Sequence, residues 1–190
     1  MTKKDKKNKK IPRYIEQIKR SAKTEEPKLS DSNFVLDFSF EGLYYSVKHS
    51  DFSNFLANKD EFISHFRNIR NLNSKLSHKH KFENVRNNDD FHCHTFDNDR
   101  TDLAIKLIKK AYEKSGGNID GYVDQLIGGE KIYQIGYEGS LRLIGFYDST
   151  RAIFKVCLID YWHKLYYDEK YNLHSKKDLK FCPMTNNIKN

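Results

Sequence analysis

From Lys131 onward the chain alternates with a period of two, and this constrains the fold more than any other feature. Three runs, KIYQIGY (131–137), LRLIGFY (141–147) and AIFKVCLID (152–160), are rich in β-branched and aromatic residues. Only EGS and DSTR separate them. Connections this short cannot carry a crossover, so each run must return beside the one before it. The expectation is a three-strand antiparallel meander. Helical periodicity precedes it, so the fold class is α+β, with N-terminal strands and helices first and the helices packed on one face of the sheet.

Ala104, Leu107, Ile108, Ala111 and Tyr112 recur at helical spacing. Asp99 or Thr101 is placed to cap that helix, and Gly116-Gly117 to end it. A short helix from Ile119 to Ile127 stops at Gly128-Gly129. Further upstream, FVLDFSF and LYYSVKH read as two strands around Glu41-Gly42. A helix with Phe52, Phe55 and Leu56 on one face starts at Asp51. Asn58 restarts it, carrying Phe62, Ile63, Phe66 and Ile69 to about residue 72. The polar, histidine-rich stretch 73–98 reads as a long loop.

The net charge of +8 sits almost wholly at one end: residues 1–28 hold eleven Lys or Arg and four Asp or Glu. Residues 1–32 therefore read as a basic, largely disordered arm with a possible short helix around Tyr14, Ile15 and Ile18. Lys3, Lys4, Lys6, Lys7, Lys9 and Lys10 would attract RNA by counterion release without reading its sequence. A solubilising leader is an equal alternative. Residues 33–176 form a single α+β domain and 177–190 a C-terminal tail. The 14% aromatic content lets a polar chain bury a core.

Three cysteines, Cys93, Cys157 and Cys182, without a CxxC pair argue against a disulfide scaffold. No apolar run is long enough to cross a bilayer, and the basic N-terminus lacks the apolar stretch of a secretory signal. The expected location is the cytoplasm, with no membrane partner.

Several motifs fail on their own chemistry. His92-Cys93-His94, with His78 and His80 upstream, could share a metal, but third and fourth ligands at zinc spacing are missing. Surface histidines on a polar loop explain them better, and neither metal nor cofactor is expected. Asp97, Asp99 and Asp102 lack the glycine and closing glutamate of a calcium loop. Gly136, Gly139 and Gly145 precede no helix, so they do not cradle a phosphate.

One stretch does gather chemistry. Arg142 lies inside an apolar strand and shares a face with Ser140 and Ile144, from which it would protrude. The neighbouring strand ends in Asp160, Tyr161, Trp162 and His163, followed by Tyr166 and Tyr167. A guanidinium, an imidazole and phenols on one surface suit RNA cleavage by the ribose 2′-OH. One group takes a proton, another returns one to the leaving oxygen, and Arg142 stabilises the phosphorane. The rings, Trp162 among them, could stack on bases. The competing reading is structural, with Arg142 paired to Asp160 or Glu138 and the aromatics as packing.

Residues 132–171 resemble the C-terminal sheet of RelE/ParE-superfamily toxins. In these a strand shaped like YKI, a turn, a strand shaped like GYRLVY and an apolar strand lead to a short tail with basic, His or Tyr residues. Tyr133-Gln134-Ile135 stands at the first, Ser140-Leu141-Arg142-Leu143-Ile144 at the second, and Phe154 to Ile159 at the last. The resemblance implies a metal-independent endoribonuclease toxin of a toxin–antitoxin or phage-defence module. Arg142 would be the phosphate contact, His163 the acid or base, and Tyr166 or Tyr167 its assistant, with Asp160 in the same cluster. RNA or the ribosome and a cognate antitoxin would be the partners. The body is nearly neutral, unlike strongly basic ribosome-dependent members, and ParE-like members poison gyrase instead. The alternative expectation is a non-catalytic protein- or nucleic-acid-binding module carried by a mobile element.

Overall fold

The computed structural model describes residues 34–118, 121–166 and 179–185. The lysines of the basic arm, and Tyr167, lie outside them. Seven strands occur among the described residues: β1 (Val35–Asp37), β2 (Lys48–His49), β3 (Phe52–Ser53), β4 (His94–Thr95), β5 (Ile132–Ile135), β6 (Arg142–Asp148) and β7 (Ile153–Asp160). The α-helices are α1 (Lys59–Leu76), α2 (Phe82–Arg86), α3 (Asn98–Lys114) and α4 (Tyr122–Ile127).

The protein is α+β, with a mixed five-strand sheet of order β1-β7-β6-β5-β4 and a separate β2–β3 hairpin. The sheet is thus larger than a three-strand meander. β5, β6 and β7 pair antiparallel in succession, but β1 joins β7 in parallel, with Leu36 opposite Phe154. Lys155 locks that junction by an ion pair to Asp37 at 2.6 Å. At the opposite edge β4 pairs with β5, placing His94 beside Gln134.

Helices cover both faces of the sheet, not one. The Phe82 ring of α2 stacks on Tyr147 at 4.3 Å, while Leu126 of α4 shares a small cavity with Phe146. Phe146 and Tyr147 are successive strand residues, so they point to opposite sides. A register shift at Ile144/Gly145 leaves Cys157 as an extra residue on β7. There the backbones come so close that a Cβ on Gly145 would lie 1.8 Å from the Lys155 carbonyl oxygen.

α3 carries the expected core stripe, with Ala104, Leu107, Ile108, Ala111 and Tyr112 all buried. Its cap is Asp97 rather than Asp99 or Thr101, accepting the Arg100 N–H at 2.9 Å. Asn58 caps α1 through the Glu61 N–H. That helix turns Ile69, Leu72 and Leu76 inward, while Ile63 and Phe66 stay exposed.

Three local expectations are corrected. Phe52 belongs to β3 instead of a helix, because its partner His49 lies across a tight turn. FVLDFSF and LYYSVKH do not pair with each other. Gly42 between them presses against the α3 backbone, where a Cβ would lie 2.6 Å from the Tyr112 nitrogen. The stretch 73–98 is not loop throughout: it holds the end of α1, α2, a 3₁₀ turn at Asp89–Phe91 and β4.

Candidate functional site

Arg142 and Asp160 are Cα partners across β6 and β7, so their side chains share a face. The guanidinium does not protrude. Arg142 is only 6% exposed, and its Nη1 donates to the carbonyls of Gly139 at 2.8 Å and Leu141 at 2.9 Å. Gly136 makes the room for it, since a Cβ there would lie 2.7 Å from Arg142 Cδ and Nη1. Its Nε is buried without a hydrogen-bond partner. Burial pulls the guanidinium below its ordinary value, and the Asp160 charge offsets part of that.

Asp160 is fully buried. Its carboxylate accepts the Trp162 N–H at 3.1 Å and the Leu165 N–H at 2.9 Å. It therefore caps the turn that brings residues 161–166 back across the sheet end. Burial pushes the carboxyl up, against the pull of those N–H groups and of Arg142. These two residues act as a buried structural pair whose hydrogen bonds go mainly to backbone. That departs from an exposed catalytic cation.

Trp162 is half-buried, and its indole Nε1 donates to the Phe55 carbonyl at 3.0 Å. Its polar end is thus committed to the fold. His163 sits at φ 56°, a left-handed conformation that suits a tight turn, with its ring 6.2 Å from Tyr166.

Tyr166 anchors a second cluster, on the edge formed by β4 and the start of α3. Its ring stacks on Phe96 at 5.4 Å and lies 5.1 Å from the His94 ring. The Arg100 guanidinium lies over it at 4.2 Å. His94 Nδ1 contacts the Thr95 carbonyl at 3.1 Å, and its Nε2 lies 2.8 Å from Gln134 Nε2. Nδ1 must then carry the proton, leaving Nε2 to accept from the Gln134 amide. Two imidazoles, a phenol and a guanidinium thus meet on a partly exposed edge.

Sequence pattern alone puts His94 on a loop and singles out neither Arg100 nor Phe96, while Gln134 stands out only as part of a strand. Gln134 was the available signal, as a polar residue in an apolar strand. Among the described residues no three His, Cys, Asp or Glu side chains converge as a metal site would require. Burial pushes the Cys93 thiol up to about 12, which suits a packed thiol rather than a ligand.

The mixed sheet and its edge cluster define an α+β domain with Arg142 and Asp160 buried side by side on adjacent strands and a half-exposed cation–aromatic edge at Tyr166. The chain belongs to the family described as Uncharacterised protein UU032, whose model matches residues 39–189. That match spans every element except β1 and leaves the basic arm outside. No curated protein and no solved structure gave a significant match. Among the described residues no helix is long and apolar enough to cross a membrane.

Proposed function

We propose that this protein binds single-stranded RNA without cutting it. The observation that carries the reading is the Arg100–Tyr166–His94 edge. A guanidinium lies 4.2 Å over a phenol ring beside an imidazole, half-exposed at the end of a sheet. Splayed bases stack on such rings and on arginine planes, and each stacked base contributes about 1–3 kcal/mol. The lysines at 3, 4, 6, 7, 9 and 10 add sequence-independent attraction to phosphate. The buried pair supports the non-catalytic side of the reading, because Asp160 is fully buried and Arg142, 6% exposed, commits its Nη1 to the carbonyls of Gly139 and Leu141.

The test is fluorescence anisotropy with a labelled RNA 12-mer and the full chain across a KCl series. Wild type should bind, with log affinity falling linearly as log salt rises. Tyr166→Ala should weaken binding roughly tenfold, the loss of about one stacking contact. Removing residues 1–28 should flatten the salt dependence. No binding in 50 mM KCl, or equal affinity for all three chains, rejects the reading.

One observation favours a second reading, a metal-independent endoribonuclease toxin of the RelE/ParE type. His94 and His163 flank Tyr166, and two imidazoles can divide acid and base roles. The phosphorane would then be stabilised by Arg100 instead of Arg142. Cleaved RNA ending in a 2′,3′-cyclic phosphate, lost in His163→Ala, would favour it. A protein-binding role for the same surface has no comparable observation behind it.

A further inference from the structure

A cleft of about 790 Å³ opens beside the C-terminal half of α3, away from the Arg100 end of that helix. Lys48, Lys110, Lys114 and Lys180 line it, with Phe55 on its wall and Glu113 as the one acid among the described lining residues. The volume falls in the range of sites that take a nucleotide-sized ligand.

The charge arises from a repeat in the helix. Lys106, Lys110 and Lys114 recur every fourth residue, so they form one row with steps of about 6 Å along α3. Like charges at this spacing destabilise a helix by a few tenths of a kcal/mol per pair. A solvated helix face usually relieves such a row with acids, as Lys109 does here through its 2.7 Å ion pair to Asp124. Lys48, Lys106, Lys110 and Lys114 have no carboxylate at ion-pairing distance among the described residues.

The hairpin completes the wall. Lys110 Nζ donates to His49 Nδ1 at 3.3 Å, and Lys114 Nζ donates to the Ser46 carbonyl at 2.8 Å. Lys114 also lies 5.3 Å above the Phe55 ring. The His49 imidazole is held below its ordinary value by desolvation and then by the charges of Lys106 and Lys110. A cation is thus disfavoured there, which is the complement of a place where an anion is welcome.

We propose that this cleft holds the phosphodiester backbone of the single strand, with Lys48 and Lys110 on successive phosphates, Lys106 next along the helix row beyond the cleft, and Phe55 against a sugar or base. The proposal rests on the RNA-binding reading and assigns it a second contact surface. Continuity supports the link, because the Phe55 carbonyl accepts from Trp162, in the segment that carries His163 and Tyr166. Concavity favours a strand over a bilayer. A flat headgroup layer meets protruding lysines, whereas these surround a recessed aromatic ring.

The experiment uses the full chain, a labelled RNA 12-mer and NMR of His49. Lys48→Ala/Lys110→Ala should reduce the salt slope by about 1.4 and the affinity on the order of 20-fold in 0.1 M KCl, from roughly 0.7 per lost single-strand phosphate contact. Lys59→Ala/Lys131→Ala removes the same charge from exposed residues outside the cleft and should change affinity less than threefold. In wild type, saturating RNA should raise the His49 pKa, because an anion joins its neighbours and frees Lys110. If wild type binds RNA but the cleft variant matches the control and His49 does not move, the cleft assignment is wrong and RNA binding stands. If wild type ignores RNA in 50 mM KCl, both readings fall. Sedimentation with phosphatidylserine vesicles would then assign the lysines to a lipid surface.

Discussion

The buried pair of Arg142 and Asp160 gives a sharp way to separate structure from catalysis. Asp160→Ala removes a fully buried carboxylate that accepts the Trp162 and Leu165 N–H groups. It also removes the through-space attraction that offsets part of the burial of Arg142. Charge-assisted bonds of this kind are worth about 1.5–3 kcal/mol each, so losing both costs at least about 3 kcal/mol. We take roughly 3–5 kcal/mol, which for a domain of this size lowers Tm by about 6–20 °C. Arg142→Met keeps the aliphatic stem and loses two bonds to the carbonyls of Gly139 and Leu141, so the cost should be smaller, about 1–3 kcal/mol. Urea unfolding followed by tryptophan fluorescence reads this directly, because Trp162 is the only tryptophan and its N–H bonds to Asp160. RNA affinity per folded molecule should be unchanged in Arg142→Met. The reasoning is refuted if both variants melt within about 1 °C of wild type, or if Arg142→Met abolishes an RNA-directed activity with stability intact.

Further predictions concern the sheet. Gly145→Ala should destabilise the domain by at least about 3 kcal/mol, since its Cβ would strike the Lys155 backbone, and reduced soluble yield with a lowered urea midpoint would show it. Gly136→Ala should shift Arg142 and cost less, because a long side chain yields more easily than backbone; the two urea midpoints give the order. Burial pushes the Asp37 carboxyl up, but hydrogen bonds from Lys155 and Ser39 outweigh it and hold the group below the usual carboxylate value. Its stabilisation is therefore full above about pH 4, the unfolded value, and is lost as pH falls through the lower folded value. Lys155→Met should flatten that acid limb of stability; an unchanged limb in a pH series of urea midpoints would contradict the assignment.

How much of this was legible depends on whether the determining contacts are local. The α3 stripe from Ala104 to Tyr112 and the cap at Asn58 are set within one or two turns, and both could be read directly. The parallel pairing of Leu36 with Phe154 could not, because nothing in VLD specifies a partner more than a hundred residues away. β4 is two residues in a polar stretch, made a strand only by the edge that β5 offers it. Alternation puts Arg142 on a face with Ser140 and Ile144 and suggests that it protrudes, but a period of two carries no information on whether that face is covered. The guanidinium instead folds against Gly136 and the carbonyls of Gly139 and Leu141, which makes it a buried group rather than a protruding one. The lysine row of α3 is visible as a four-residue repeat, yet it becomes a cleft only when the distant β2–β3 hairpin closes over it.

The proposed RNA binding without cleavage has one most direct test. It is to incubate 5′-labelled single-stranded RNA with a saturating amount of the full chain, then run native and denaturing gels side by side. A retarded band on the first and intact oligonucleotide on the second are the predicted result. Fragments carrying a cyclic phosphate, no longer produced by Arg142→Lys at unchanged Tm, would contradict it and restore the guanidinium to an active centre.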